Sequence, residues 1–247
     1  MRKRTITFGL FVVILLSLTV GITSALANSG GGTWSFFDAI HIKGKANYEL
    51  SAALIVSAFA LIGFGLKYID DAFDEALFSK ESAMLIAPIL VVIWAGVSIL
   101  DSVSATILFS ILFAVILCGK VDNVLFKLSA FALIAILLST GMLHLSWMPL
   151  FALTVMGVID EKGNDYVDSH KIGGVGEFFF AHRCGMKLGT LVLCTVALLP
   201  WLYLIAFFAF DTAYEFVKFA RYLNVPNFRS QFERFQLAMI IVNCINR

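Results

Sequence analysis

Two acidic segments contain the side chains of this sequence that are best suited to chemistry. The first, KYIDDAFDE at 67–75, places Asp70, Asp71 and Asp74 directly after an apolar run. Residues three or four positions apart share a helix face, so these carboxylates are expected to lie together. Neighbouring carboxylates repel one another unless a cation lies between them, and Mg²⁺ is the expected cation because it prefers oxygen ligands. The segment therefore predicts part of a Mg²⁺ site.

The second acidic segment, VIDEKGNDYVDSH at 158–170, supplies a similar set of oxygen ligands. Asp160, Asn164 and Asp165 are its candidate metal ligands, and Gly163 permits a turn between them. A solvated helix end beside a membrane has a similar composition, so each segment alone has a plain alternative interpretation. The presence of two such segments favours a shared metal site.

Four basic side chains are expected to bind phosphate beside these acids. They are Lys120, His182, Arg183 and Lys187. The planar guanidinium of Arg183 matches two phosphate oxygens, and Lys187 adds a point charge about one helical turn later. Metal ions and cations that converge in this way are typical of sites for phosphate esters.

The elements that must position these residues are expected to be membrane-spanning helices. The chain is 247 residues long, 60% hydrophobic and only 14% charged, and its mean hydropathy is +0.91, outside the range of soluble domains. About 20 apolar residues are needed for a helix to cross a bilayer. The sequence therefore predicts an all-α, polytopic membrane helix bundle of about seven transmembrane helices, at 6–27, 49–66, 83–100, 102–119, 124–141, 143–159 and 188–210.

Two tight helical hairpins are expected within this bundle. One turns at Asp101 and Ser102, and the other turns at Gly141. Asp101 is expected to be solvated at its turn. His144 lies at an outer boundary, where an interfacial role explains it without chemistry.

The first segment, 1–27, is either a cleaved signal peptide or an uncleaved anchor, because MRKR precedes an apolar run that ends in Ala25-Leu26-Ala27. Both alternatives put the N-terminus in the cytoplasm and Asn28 outside, where cleavage would leave the new N-terminus. Lysine and arginine in the predicted inner loops agree with this orientation. With this orientation, the acids at 70–74 and 160–165 are expected to lie at the same, cytoplasmic face.

The tail at 211–247, which follows a bundle assigned to 28–210, does not fit the count of seven spans. It would lie outside, yet it is rich in lysine and arginine. Either the tail is external or interfacial, or the count is wrong by one span. Its mixed apolar and basic pattern predicts amphipathic C-terminal helices, which lie on the bilayer or pack against the bundle.

The two acidic segments resemble the aspartate-rich motifs of the UbiA superfamily of membrane prenyltransferases, although helix count and length depart from that family. YIDDAFDE is similar to the first motif, with Asp70, Asp71 and Asp74 at its Asn-Asp-x-x-Asp positions. IDEKGNDYVD is similar to the second motif and places Asp160, Asn164 and Asp165 at matching positions. The resemblance implies Mg²⁺ as cofactor and a prenyl or lipid diphosphate as substrate at one membrane face.

Three classes of function follow from the sequence. The first is a Mg²⁺-dependent enzyme, prenyltransferase-like, that acts on a prenyl or lipid diphosphate at the cytoplasmic face. The second is a transporter or channel for a cation or small solute with an acidic cytoplasmic vestibule, although the spans contain few of the ionisable residues such a path needs. The third is a non-catalytic membrane protein. A net charge of +1 gives no support for nucleic-acid binding, and the oligomeric state stays open.

Overall fold

The computed structural model describes residues 45–74, 77–170 and 175–222, and every regular element in those ranges is a helix. The prediction of an all-α fold is confirmed for this part of the chain. The predicted first span, the cleavage site and the end of the tail lie outside the described residues. The helices are α1 (Lys45–Phe73), α2 (Lys80–Leu100), α3 (Ser102–Leu117), α4 (Val124–Thr140), α5 (Trp147–His170), α6 (Val175–Ala181), α7 (Cys184–Thr195) and α8 (Trp201–Tyr222).

Side-chain caps and one glycine set the ends of the central helices. Asp101 ends α2 and caps α3, where its Oδ2 accepts the Ser104 N–H at 2.7 Å. Asn123 caps α4 by accepting the Phe126 N–H at 2.8 Å. Gly141 ends α4 with a φ of 62°, a left-handed conformation that glycine adopts without strain. The tight hairpin predicted at Asp101 is confirmed, because α2 and α3 pack against each other. The chain does turn out of α4 at Gly141, but residues 141–146 separate α4 from α5 and the two helices make few contacts, so the tight hairpin predicted there is wrong.

Asp101 itself was expected to be solvated, and that expectation is wrong. Its residue is only 3% exposed. Besides capping α3, it accepts a hydrogen bond from the Tyr203 hydroxyl at 2.9 Å through Oδ1. Buried carboxylates need such partners, and both oxygens of Asp101 have one.

Contacts between helices fix the two ends of the bundle, here named the acidic end, which carries Asp70 and Glu161, and the opposite end, which carries Asp101. Near the opposite end, the Ser146 N–H donates to Thr106 Oγ1 at 3.0 Å. At the acidic end, Lys120 after α3 pairs with Glu161 on α5. Helices α3 and α5 therefore run in the same direction, and both lead towards the acidic end.

The predicted span at 188–210 is wrong as a single helix, because α7 ends at Thr195 and α8 begins at Trp201. Between them Ala197 has a φ of 59°, and Pro200 cannot donate the backbone hydrogen bond that a continuous helix needs. Lys187 Nζ on α7 lies 2.6 Å from Asp211 Oδ2 on α8. This contact pairs the start of α7 with the middle of α8, so the two helices form an antiparallel hairpin.

The α7–α8 hairpin returns the chain to the acidic end. Tyr203, near the start of α8, contacts Asp101 at the opposite end, whereas Asp211 contacts the start of α7. Helix α8 then runs without a break to Tyr222, so the first part of the predicted amphipathic tail continues α8.

Helix α8 packs closely beside α1, and the two run parallel. A Cβ atom at Gly63 would overlap the carbonyl oxygen of Phe210, so only glycine allows this approach. One turn later, Lys67 Nζ lies 5.5 Å from the centre of the Tyr214 ring. Because the contacts follow the same order along both helices, the end of α1 and the later half of α8 lie side by side at the acidic end.

The interior contains one large apolar cluster and a smaller one at the acidic end. The large cluster includes fully buried Phe59, Leu108 and Phe207, and the small one includes Tyr68 and Leu125. These two clusters pack the helices of the bundle against one another.

Two helices of the described part are long and apolar enough to cross a membrane by length and composition. They cover Glu49–Phe73 and Lys80–Leu100, with mean hydropathies of 2.0 and 2.5 over their most apolar windows. Two such helices are weak support taken alone, because a core helix of a soluble protein passes the same test.

Candidate functional site

A cavity of about 340 Å³ opens at the acidic end of the bundle, between α1, α2, α3, α4, α5 and α8. Its volume is at the small end of the range for small-molecule sites. Six acidic or basic side chains line it: Lys67, Asp70, Lys120, Asp160, Glu161 and Arg183. The cavity therefore brings together residues from both acidic segments and two of the predicted phosphate ligands.

The other walls of the cavity are apolar apart from Ser129. Helix α2 contributes Ala87, Leu90, Val91 and Trp94 at the i, i+3, i+4, i+7 spacing of one helix face. Helix α4 contributes Phe126, Ser129, Ala130 and Leu133 at the same spacing. Both helices begin at the acidic end, so Trp94 and Leu133 are their deepest lining residues. The cavity is thus polar at its mouth and apolar at its deep end.

An ion cluster on α1 forms one side of the mouth. Lys67 Nζ lies 2.7 Å from Asp70 Oδ2 and 2.9 Å from Asp71 Oδ1. Asp71 is only 1% exposed and does not line the cavity, whereas the side chain of Asp70 is 33% exposed and does. Lys67 therefore neutralises a carboxylate behind the wall and contacts another at the surface.

A second ion cluster on α5 forms the other side. Glu161 forms ion pairs with Arg183, whose Nη2 lies 2.9 Å from Oε1, and with Lys120, whose Nζ lies 2.8 Å from Oε2. Lys120 Nζ also lies 2.8 Å from Asp165 Oδ1. Burial opposes ionisation of Glu161, but the charges of Arg183 and Lys120 outweigh it and hold the pKa of this carboxyl below its ordinary value. Glu161 is therefore an anion that orients two cations.

Tyr214 of α8 connects the two clusters. The guanidinium carbon of Arg183 lies 4.4 Å from the centre of the Tyr214 ring, and its Nη2 lies 3.3 Å from the ring hydroxyl. Lys67 Nζ lies 5.5 Å from the same ring centre. Cations near an aromatic face are attracted by the ring quadrupole, so one ring helps to hold both cations at the mouth.

Asp160 joins α5 to α7. Its two oxygens accept the backbone N–H groups of Gly185 and Met186 at 2.8 and 2.7 Å. Burial raises the pKa of Asp160, and these two N–H groups with Arg183 offset only part of that effect. A Cβ at Gly185 would overlap Asp160 Oδ1, so the close approach depends on glycine.

Among the predicted site residues, five line the cavity: Asp70, Lys120, Asp160, Asn164 and Arg183. The two acidic segments therefore do reach one cavity.

Five predicted residues do not line it. Asp71 lies behind the wall, and Asp165 contacts Lys120 from a position where its side chain is 49% exposed. Lys187 pairs with Asp211 and donates to the His182 carbonyl at 2.6 Å. His182 itself has Nδ1 4.0 Å from Glu215 Oε2, away from the cavity lining.

Asp74 is the fifth. It lies just past the end of α1, where burial and the charges of Asp70 and Asp122 raise the pKa of its carboxyl. A side-chain hydrogen bond with Asp70 also raises this pKa, so Asp74 contacts one residue of the lining although it does not line the cavity itself.

Three ionisable residues of the lining were not among the predicted ligands: Lys67, Glu161 and Tyr214. Lys67 had a usable signal, because it precedes Asp70 and Asp71 by three and four positions on one helix. Tyr214 had none, because its position follows from the α7–α8 hairpin, which hydropathy does not reveal.

The described carboxylates are not grouped as a ready-made metal site. Among the described residues, no three His, Cys, Asp or Glu side chains lie close enough to hold one ion. The oxygens of Asp160 are occupied by backbone donors, and those of Glu161 by two cations. Mg²⁺ commonly uses one or two carboxylates together with phosphate oxygens of a ligand, and Asp70, whose side chain is partly exposed, fits that more modest role.

Comparison of the chain with protein-family models, with curated proteins and with solved structures found no match.

Proposed function

We propose that this chain is an integral, multi-pass membrane protein that binds a prenyl or lipid diphosphate, together with Mg²⁺, in the cavity at its acidic end. The single observation that carries the proposal is the arrangement of the cavity lining, with cations at the mouth and apolar side chains at the deep end. An amphiphile with a phosphate head and a hydrocarbon tail is complementary to both parts.

Exposed apolar side chains support the membrane location. The most apolar windows of the two candidate spans are only 33% and 39% buried, whereas a core helix of a soluble protein is mostly buried. Leu61, Phe131, Leu138 and Phe151 are all more than half exposed. Monomeric soluble proteins rarely expose large contiguous apolar surface, so a bilayer is the environment that fits this exterior.

The α7–α8 hairpin supports a cytoplasmic acidic end. It adds one span to the predicted seven, so the tail after Tyr222 starts on the same side as the acidic segments. The tail then follows the rule that lysine and arginine concentrate in the cytoplasm. Of the two alternatives for the tail, this favours a count that was short by one span.

Three cations support recognition of phosphate. Lys67, Lys120 and Arg183 all line the mouth, and Arg183 presents the planar fork that suits phosphate oxygens. Contacts with Tyr214 and Glu161 fix its guanidinium in advance, so that little ordering remains to be done when a ligand binds.

The charge of the cluster supports a divalent cation that arrives with the ligand. These three cations contact or neighbour five carboxylates, namely Asp70, Asp71, Asp160, Glu161 and Asp165. A phosphate dianion alone would increase this excess of negative charge. Mg²⁺ held by Asp70 and the phosphate oxygens would offset it.

In a transfer reaction, Mg²⁺ would stabilise the diphosphate as it leaves. The chain's own residues would have three tasks. Arg183 and Lys120 would bind the phosphate oxygens, Glu161 would hold both cations in position, and the apolar wall would exclude water from the tail. Whether a transfer reaction follows binding stays a prediction, tested by analysis of products.

The test is binding of geranyl diphosphate to the purified protein in detergent, with and without Mg²⁺. Arg183→Gln should weaken binding roughly 10- to 100-fold, because a hydrogen bond to a charged group contributes about 1.5–3 kcal/mol. Lys127→Gln is the matched control, since Lys127 is an exposed cation of α4 at the same end that does not line the cavity. Asp70→Asn should reduce the dependence on Mg²⁺.

Two results would refute the proposal. One is the absence of saturable binding by the wild-type protein under any Mg²⁺ concentration. The other is an equal effect of Arg183→Gln and Lys127→Gln in proteins that remain folded. Geraniol and inorganic diphosphate, tested separately, show how much affinity the tail and the head each contribute.

A further inference from the structure

The deep end of the cavity is closed by packed side chains. Three of the helices that line it, α1, α3 and α4, place a fully buried apolar residue one turn beyond their deepest lining residue. On α1, Ile62 lies one turn beyond Leu66 and is 0% exposed. The equivalent residues on α3 and α4 are Leu108, at 0%, and Leu137, at 1%.

On α2 the same position is held by Ser98, which is 1% exposed and also absent from the cavity lining. Trp94, the deepest lining residue of this helix, is itself 6% exposed and belongs to the large apolar cluster. The cavity therefore ends blind at the level of Trp94 and Leu133, within the described residues.

The length of the apolar part follows from helix geometry. The stripes from Ala87 to Trp94 and from Phe126 to Leu133 each advance seven residues, which at 1.5 Å per residue is about 10 Å. An extended chain advances about 1.2 Å per bond, as the span of a three-bond residue shows. The cavity therefore holds about eight bonds of extended hydrocarbon, which is two isoprene units.

We infer that the cavity measures the tail of its ligand, and that Trp94 and Leu133 set the limit at a chain of about two isoprene units or eight carbons. This inference rests on the proposed function, because it assumes that a phosphate head is held at the mouth. Trp94 and Leu133 are specificity-determining residues that meet the end of the tail.

The experiment compares prenyl diphosphates with 5, 10, 15 and 20 carbons as competitors for one labelled ligand, in one detergent. Longer tails partition more strongly into micelles, and this effect is the same for every variant in one detergent. For each variant we therefore take the ratio of its affinity for the 15-carbon ligand to its affinity for the 10-carbon ligand, and divide it by the same ratio for the wild type. Octyl diphosphate serves as an unbranched competitor and separates the effect of tail length from that of the isoprene structure.

Leu133→Ala should raise this ratio about tenfold, because room for two more buried methylene groups is worth about that factor in affinity. Ala130→Leu, which adds bulk to the middle of the cavity, should reduce the preference for 10 over 5 carbons. Leu125→Ala is the matched control, since Leu125 is a buried leucine of the same helix that does not line the cavity. Trp94→Phe provides a second deepening substitution if Leu133→Ala does not fold.

The inference is overturned if wild-type affinity rises steadily from 5 to 20 carbons, or if Leu133→Ala and Trp94→Phe leave the ratio unchanged in folded protein. In both cases prenyl diphosphates still bind, so the proposed function survives. If no member of the series binds to the wild type, the proposed function fails and the inference fails with it.

Discussion

The ion pair between Lys67 and Asp71 allows a direct test of the reasoning about the acidic end. Lys67 is 7% exposed and Asp71 is 1% exposed, and their charged atoms lie 2.9 Å apart. Removing one partner of such a buried pair typically costs about 3–5 kcal/mol, because the other charge remains buried. Lys67→Met should therefore destabilise the protein by about that amount.

For a chain of this size, about 1 kcal/mol corresponds to roughly 2–4 °C in Tm, so the expected loss is roughly 6–20 °C. The double variant Lys67→Met/Asp71→Leu should recover most of it, because replacing both charges with apolar groups of similar size is often close to neutral. The measurement is thermal unfolding in one detergent at a fixed scan rate, since unfolding of such proteins is often irreversible.

Asp165→Asn provides the control, because Asp165 is half exposed and its contact with Lys120 is worth about 1 kcal/mol or less. If Lys67→Met is as mild as Asp165→Asn, or if the double variant is no more stable than Lys67→Met, the buried pair does not stabilise the fold as argued. The carboxylate of Asp71 would then have to be accommodated by other means, and a metal role for it would regain weight.

Three further predictions address the packing, the electrostatics and the direction of the helices. Gly63→Ala should lower Tm clearly, because its Cβ would meet the Phe210 carbonyl, whereas Gly96→Ala should not, since nothing lies within 4 Å of the added atom. Glu161 has a lowered pKa in the folded state, so the stability it contributes is present above its ordinary value of 4.5 and is lost as the pH falls through the lowered value. A scan of Tm against pH should therefore show a decline at acidic pH that is smaller in Glu161→Gln, and an unchanged decline would contradict the assignment. Cysteines introduced in place of Ser169 and Tyr222, near the ends of α5 and α8, in a cysteine-free background should react with an impermeant reagent from the same side of the membrane. Labelling from opposite sides would refute the α7–α8 hairpin as a topological element.

Local signals in the sequence predicted part of the fold correctly. The hairpin at Asp101 follows from a capping residue between two apolar runs, and the end of α4 follows from the glycine at position 141. The structure has both features, although α4 and α5 do not form the tight hairpin that was also predicted. Such signals act over a few residues, so they can be recognised without knowledge of the packing.

The failures arose where contacts distant in sequence decide. Residues 188–210 have the hydropathy of one span, and their turn at Ala197 and Pro200 is stabilised by pairing of Lys187 with Asp211. The burial of Asp101 depends on the hydroxyl of Tyr203, which comes from the same hairpin. A hydropathy window averages side chains and contains no information on either contact.

The candidate site was predicted in outline but not in its detail. Helical spacing and topology correctly placed Asp70 and Asp160 at one cavity. The same reasoning assigned the acids to a metal, which stays a prediction, and it did not foresee that Lys67 contacts Asp70 and Asp71 or that Lys120 contacts Asp165. Whether an acid meets a cation from another helix depends on distances of a few ångströms, which spacing along the chain does not determine.

The parallel contact between α1 and α8 also has a consequence for biosynthesis. Helix α8 is the last described helix to leave the ribosome, yet it supplies Phe210 to the groove at Gly63 and Tyr214 to the mouth of the cavity. A nascent chain that has not yet reached α8 leaves the charged side of α1, with Lys67, without its covering helix. Chains interrupted before α8 would therefore present a polar, incompletely packed helix to quality-control factors, and only completed chains would contain a finished cavity.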